Sequence, residues 1–251
     1  MTKLVALNNR IHQGLYIDAN KAEEQIADLH MLPVVLSEFQ KLVVQLPILF
    51  SKNAETGQFV CVTLLGLQAG ENLWWQDAAF QGIYTPLNVA RQPFFVGQDE
   101  QSGDDYVICI DMDNAAVAEQ ASAGHDQRLF DDEGKVSDYL LKAQDTLARL
   151  IQGEQHTAAF IQHLLKFKLL LPLALDITFE NKQSSQIKGL YTIDEDKLQA
   201  LSGEQLAELN QQGYLQAAYT QLASLGQIYA LIDRKNKRLA MPNPWFKASG
   251  E

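Results

Sequence analysis

The chain has 251 residues, of which 47% are hydrophobic and 20% charged, and its net charge is −11. This composition is that of an ordinary globular protein with enough residues to bury a sizeable core. The negative charge argues against nucleic-acid binding, because a phosphate backbone requires a positively charged face. Residues 1–17 lack the long apolar region of a signal peptide, and residues 164–177 are too short and interrupted to span a bilayer. We therefore expect a soluble, cytoplasmic protein.

The N-terminal part of the chain favours short strands. Residues 1–18 are expected to be extended, residues 33–35 to form a strand, and Ser37 to cap a short helix. The clearest hairpin joins strands at residues 47–50 and 59–67 across a polar, glycine-containing turn.

The stretch GENLWW, residues 70–75, places two of the three tryptophans side by side behind a turn. We expect it to begin a strand, in which adjacent side chains point to opposite faces. Trp75 shares strand parity with the apolar Leu73, so it is the better core candidate. Trp74 is then the better contact residue, exposed near Arg91, whose guanidinium can stack on an indole ring.

The second half of the chain favours helices and further hairpins. Ser137 is predicted to cap a helix that Gly153 stops, and Ser202 and Gln205 are predicted to form a capping box. The remaining predicted elements are a strand at 106–111, a helix at 154–170, strands at 173–179 and 189–193, helices at 195–201, 203–212 and 215–225, and a final hairpin of 228–233 with 239–241 across the basic turn 234–238.

Together these elements predict an α+β fold, with a mostly antiparallel sheet built from hairpins and a helical middle and C-terminal part. We expect a single domain over residues 1–251, and the only credible internal boundary is near residues 113–124. Cys61 and Cys109 each lie in an apolar, β-branched run, which is typical of buried free thiols in a reducing compartment.

The common catalytic and ligand-binding motifs are missing, so we predict no cofactor and no metal. There is no phosphate-binding glycine loop, no nucleophile elbow and no paired-cysteine or HExxH metal motif. His156 and His163 are seven residues apart on one predicted helix, but two ordinary helix histidines are a better interpretation than a shared metal. Glu38 and Glu71 are candidates for a catalytic carboxylate pair, although capping or surface roles are favoured for both.

An aromatic segment remains as the best candidate for a contact site. Its arginine is Arg91, and aromatic residues with arginine dominate binding hot spots. Ordinary core packing is nevertheless favoured for the aromatics as a group. They are Trp74, Trp75, Phe80, Tyr84, Phe94 and Phe95.

The chain resembles the SapC family of bacterial proteins over nearly its whole length. One departure is Tyr16, where a basic residue is expected. The stretches that carry the resemblance are HQGLYI (12–17), PVVLSEF (33–39), LPILF (46–50), LLGLQAGENLWW (64–75), YTPLNVARQPFF (84–95), LFDDEGKVS (129–137) and GLYTIDEDKLQAL (189–201).

The resemblance implies an accessory role, since proteins similar to this family are encoded near surface-layer proteins, outer-membrane receptors and flavin-dependent halogenase-like proteins. We expect a non-catalytic protein that recognises a protein or peptide through residues 70–95. The alternative is a small-molecule-binding enzyme, or a partner of an oxygenase, whose pocket the same aromatics form. The predicted binding residues are Trp74, Arg91, Tyr84, Glu71, Asn72 and Glu38.

Overall fold

A computed structural model describes residues 3–19, 21–53, 55–98, 106–119 and 126–240. The chain divides into two compact units. Unit 1 consists of Met1–Asp28, Pro33–Glu38 and Trp74–Ala159, and unit 2 of Leu29–Leu32, Phe39–Leu73 and Phe160–Glu251. A single domain over residues 1–251 stays a prediction.

The described residues form short strands early in the chain and two long strands later. The strands are β1 (Leu4–Ala6), β2 (Tyr16–Asp18), β3 (Met31–Pro33), β4 (Ile48–Lys52), β5 (Phe59–Leu64), β6 (Trp75–Gln76), β7 (Ala79–Phe80), β8 (Phe94–Gln98), β9 (Tyr106–Asp111), β10 (Val117–Ala118), β11 (Asp126–Arg128), β12 (Leu170–Thr178) and β13 (Ser184–Ile193).

Helices are concentrated after residue 137, as the sequence predicts. They are α1 (Phe39–Leu42), α2 (Leu87–Ala90), α3 (Asp138–Lys166), α4 (Glu195–Gln199), α5 (Gly203–Gln211), α6 (Tyr214–Ser224) and α7 (Gln227–Ala240). Single 3-10 turns occur at Glu24–Ile26 and Leu36–Glu38.

Unit 1 is built from small sheets and residues 138–159 of helix α3. Its sheets have the strand orders β1-β9-β8 and β10-β2-β11, and β6 and β7 form a separate hairpin. Leu140, Ala143 and Leu147 of α3 pack with Ile17 and Phe94 in one buried core cluster. Their spacing is that of one helix face, which is how an amphipathic helix covers a sheet.

Unit 2 is built on a five-stranded sheet with the order β12-β13-β4-β5-β3. Aromatic residues fill its core, where the ring of Phe160 lies 6.1 Å from Phe39, 6.3 Å from Phe50 and 5.4 Å from Tyr214. Gln221 of α6 is fully buried, and its amide nitrogen donates to the Ile48 carbonyl at 2.8 Å. This bond satisfies a buried polar group and attaches α6 to the sheet.

The α+β class and the antiparallel hairpins are confirmed. In the β4–β5 hairpin Phe50 pairs with Cys61, so the two predicted strands are adjacent and antiparallel. The Ser202 capping box of α5 and the Ser137 cap of α3 are also present. Each of these features depends on residues that are near one another in sequence.

Helix α3 continues through Gly153, so the prediction that this glycine stops the helix is wrong. A Cβ atom at position 153 would lie 2.6 Å from Val35 Cγ2 and 2.8 Å from Val35 Cβ. The glycine is therefore explained by a close approach between the helix and residue 35, and not by termination.

The predicted C-terminal hairpin is also wrong, because residues 227–240 form helix α7 and the basic stretch 234–238 lies on it. Met241 lies outside the described residues. Ser37 does not cap a helix, since it lies inside the 3-10 turn Leu36–Glu38 that leads directly into α1.

Within the described ranges, no helix is long and apolar enough to cross a bilayer. Cys61 and Cys109 are free thiols in different sheets, Cys61 in β5 and Cys109 in β9. Burial raises the pKa of both thiols, which keeps them protonated.

Candidate functional site

Glu38 is the most deeply buried of the predicted site residues, with 1% of its surface exposed. Its Oε1 atom accepts hydrogen bonds from Leu87 N at 2.7 Å and from Tyr84 Oη at 3.1 Å. Its Oε2 atom accepts from Val35 N at 3.0 Å. The carboxylate therefore connects the segment 33–38 to the start of helix α2, within unit 1. We call these four residues the Glu38 cluster.

Burial raises the pKa of Glu38 above its ordinary value, and the three hydrogen bonds and the positive charge of Arg149 oppose that shift. Burial also raises the pKa of Tyr84, and the neighbouring Glu38 charge raises it further. Tyr84 therefore remains a hydrogen-bond donor at neutral pH. A carboxylate that accepts three intramolecular hydrogen bonds is well placed to stabilise the fold.

Glu71 and Asn72 lie in unit 2, where the turn of residues 66–72 meets helix α7. Glu71 Oε1 pairs with the ammonium of Lys235, whose side chain is 10% exposed, and Glu71 Oε2 accepts from Leu67 N at 3.1 Å. The Asn72 carbonyl accepts from Arg238 Nη1 at 3.1 Å.

Gly66 is needed for this turn to close. A Cβ atom at residue 66 would lie 2.1 Å from the Glu71 carbonyl oxygen, which no side chain tolerates. The turn and the ion pair thus hold Glu71 against α7. Glu38 and Glu71, considered as a catalytic pair from the sequence, are each bound by partners of their own unit.

The two tryptophans have the opposite exposures to those predicted. Trp74 is 5% exposed and packs on Phe80, with ring centroids 6.1 Å apart. Trp75 begins β6 and is only partly buried. Strand parity requires Trp74 and Trp75 to share one strand, but β6 begins only at Trp75 and Trp74 lies in the preceding turn. Strand parity therefore does not apply to Trp74.

The β6–β7 hairpin has an exposed tip. Residues 76–79 are all exposed, and Asp77 and Ala78 have φ angles of 52° and 57°. Residues other than glycine pay a steric cost in this left-handed conformation. Ile83 follows shortly after the hairpin with 87% of its surface exposed. We call residues 75–83 the hairpin surface.

Arg91 is the C-cap of α2 and is partly buried. Its Nε donates to Asn88 Oδ1 at 2.8 Å, and its Nη1 donates to the Phe94 carbonyl at 2.9 Å. The guanidinium lies 4.1 Å from the centroid of the Phe95 ring. Arg91 therefore stacks on Phe95, whereas Trp74, the partner expected from the sequence, is buried against Phe80.

Beside Arg91 there is a cavity of about 220 Å³ within unit 1. Glu154 of α3 also lines it, and its negative charge favours the protonated form of Arg91, whose pKa burial lowers. The full lining consists of Asn88, Arg91, Phe95, Val96, Leu147, Leu150, Ile151 and Glu154.

The structure brings together only some of the predicted site residues. Glu38 and Tyr84 are in direct contact in unit 1, and Glu71 and Asn72 share the α7 contact in unit 2. Sequence reasoning missed Lys235, because it was assigned to a turn. Its position four residues after the buried Leu231 is the helical spacing that indicates a shared face.

Among the described residues, no group of three or more His, Cys, Asp or Glu side chains is arranged to hold a metal ion. The Nε2 atom of His163, considered with His156 as a metal pair, lies 3.4 Å from Glu208 Oε1, and its ring packs at a tilt against Tyr214 with centroids 5.0 Å apart. His156 is exposed on α3.

The chain is an α+β protein. Its motif residues Glu38 and Glu71 bind other residues of the same chain. The chain belongs to the SapC family, whose model matches residues 7–231. No curated protein and no solved structure matches the chain.

Proposed function

We propose that this protein is a non-catalytic bacterial accessory protein that acts in the cytoplasm and recognises a protein or peptide partner. The proposed contact region is the hairpin surface, residues 75–83, which narrows the aromatic segment 70–95 suggested by the sequence. Surface-layer, outer-membrane receptor and halogenase-like systems are the settings in which we would first seek the partner.

The exposed tip of the β6–β7 hairpin is the observation that carries this proposal. Asp77 and Ala78, both with positive φ, form the two-residue turn of this hairpin and hold its tip outside the packed part of the hairpin. The adjoining Ile83 is 87% exposed, and Trp75 is partly exposed. Tryptophan is enriched in protein-binding hot spots, and the exposed Ile83 adds apolar surface in the same segment of the chain.

The polar residues of the motifs support a non-catalytic role. Glu38 accepts three hydrogen bonds, and Glu71 is held by Lys235 and Leu67. A general acid or base must instead reach a substrate proton. Both carboxylates are better placed to stabilise the turns on which they lie.

A capture experiment tests the proposal. The tagged full-length chain is expressed in its native host, and co-purified proteins are identified and then prepared separately. We expect one partner to bind the purified chain directly, and Trp75→Ala to weaken that binding about tenfold or more while the melting temperature stays within a few degrees. Failure to bind any co-purified protein, or unchanged binding by Trp75→Ala, would contradict the proposal.

A further inference from the structure

The cavity beside Arg91 combines opposite charges with an apolar wall. Leu147, Leu150, Ile151 and Glu154 are spaced as one face of helix α3, and they form one side. The α2 end and strand β8 supply the other side through Asn88, Arg91, Phe95 and Val96. All of these residues belong to unit 1.

The two charged groups of the cavity are at different depths. Arg91 is partly buried, and its position is fixed by Asn88 at 2.8 Å, by the Phe94 carbonyl at 2.9 Å and by stacking on Phe95. Glu154 is exposed. A guanidinium preorganised in this way is suited to a carboxylate, and the outer carboxylate of Glu154 is suited to an ammonium group.

The size of the cavity restricts the ligand further. A volume of about 220 Å³ corresponds to about seven water molecules at roughly 30 Å³ each. This is smaller than the pockets that hold drug-sized molecules or dinucleotides. The apolar side chains of Val96, Leu147 and Ile151 favour a ligand with an aliphatic or aromatic body.

We propose that this cavity binds a small zwitterion with an apolar body, namely a free apolar α-amino acid. The ligand carboxylate lies against Arg91, its ammonium group faces Glu154, and its side chain covers the apolar face of α3. This site is separate from the hairpin surface, so it does not depend on the proposed partner recognition.

Isothermal titration calorimetry with the full-length chain tests the proposal. The probes are leucine, isoleucine, valine, methionine and phenylalanine, with leucinamide and isocaproate as analogues that lack the carboxylate and the ammonium group respectively. We expect at least one of the five amino acids to bind, and leucine to bind more tightly than either analogue. No binding by all five amino acids would overturn the proposal.

Glu154→Gln tests the assignment in a folded chain, because Glu154 is exposed and its replacement leaves the packing of the core unchanged. We expect Glu154→Gln to weaken binding of the amino acid about threefold to tenfold and to leave isocaproate binding unchanged. The matched control is Glu133→Gln, which removes the same charge from an exposed ion pair with Lys135. Equal amino-acid binding by Glu154→Gln and the control would overturn the assignment.

Discussion

Replacing Glu38 with alanine tests the role of the Glu38 cluster. The substitution leaves three buried donors, Val35 N, Leu87 N and Tyr84 Oη, without their acceptor. Each lost hydrogen bond to a charged acceptor costs about 1.5–3 kcal/mol. The substitution also removes a buried charge, and this offsets part of the total loss from the three bonds. We therefore expect a loss of about 3–5 kcal/mol in the free energy of unfolding, or roughly 6–20 °C in Tm.

Glu38→Gln separates the hydrogen bonds from the charge. Its carbonyl oxygen can replace Oε1 for Leu87 and Tyr84, but its amide group would face the Val35 N–H, which is also a donor. We expect this variant to lose only about 1–2 kcal/mol. Urea denaturation at constant pH measures both variants.

The pH dependence of the free energy of unfolding tests the burial of Glu38 more directly than its value at one pH. Because the pKa of folded Glu38 is raised above the ordinary 4.5, its stabilising contribution is fully present below pH 4.5 and is lost as the pH rises through the folded pKa. The stability difference between the wild type and Glu38→Gln should therefore narrow as the pH rises through that window. A difference that widens would refute the reasoning, since it would show that the hydrogen bonds outweigh burial. Glu133→Ala is the exposed control and should change stability by less than about 0.5 kcal/mol.

Three further substitutions have defined outcomes in thermal and urea denaturation. Lys235→Met leaves Glu71 buried without its cation and should lower the free energy of unfolding by about 3 kcal/mol. Adding Glu71→Gln to the same chain should restore part of that loss. If the stability losses of the two single variants simply add in the double variant, the ion pair is contradicted. Gly153→Ala should destabilise by about 1–3 kcal/mol, because its Cβ would meet Val35 at 2.6 Å; a stabilised variant would show that helix propensity dominates instead. Ala78→Gly should stabilise the chain by about 0.5–1 kcal/mol, because glycine accepts the φ of 57° without strain; a loss of stability would contradict that conformation.

Features that depend on neighbouring residues were predictable from the sequence. The β4–β5 and β12–β13 hairpins have polar turns between apolar runs, and Ser202 and Gln205 form a capping box over one helical turn. The α+β class follows from such local elements, and it is confirmed.

Features that depend on distant contacts were not predictable. A basic stretch between two apolar runs predicts a hairpin where the chain forms helix α7. Lys235 of that stretch is buried and pairs with Glu71, 164 residues away in sequence. The local pattern predicts that Gly153 ends a helix, because the close approach of Val35 to this residue leaves no signal in the neighbouring sequence.

The candidate site shows the same division. Glu38 and Tyr84 were selected separately as candidate binding residues, but the sequence did not indicate that one accepts a hydrogen bond from the other across 46 residues. The assignment of exposure to Trp74 and Trp75 was wrong because it assumed that both residues lie in one strand, whereas β6 begins at Trp75 and Trp74 lies in the turn before it.

The most direct test of partner recognition by the hairpin surface is the affinity of the identified partner for Ile83→Asp compared with Ile11→Asp. Both isoleucines are in unit 1 and highly exposed, at 87% and 77%, so the two substitutions should affect folding alike. We predict that Ile83→Asp raises the Kd about tenfold or more, because it places a charge at the apolar anchor, and that Ile11→Asp leaves the Kd unchanged. Equal affinities of the two variants would contradict recognition through residues 75–83.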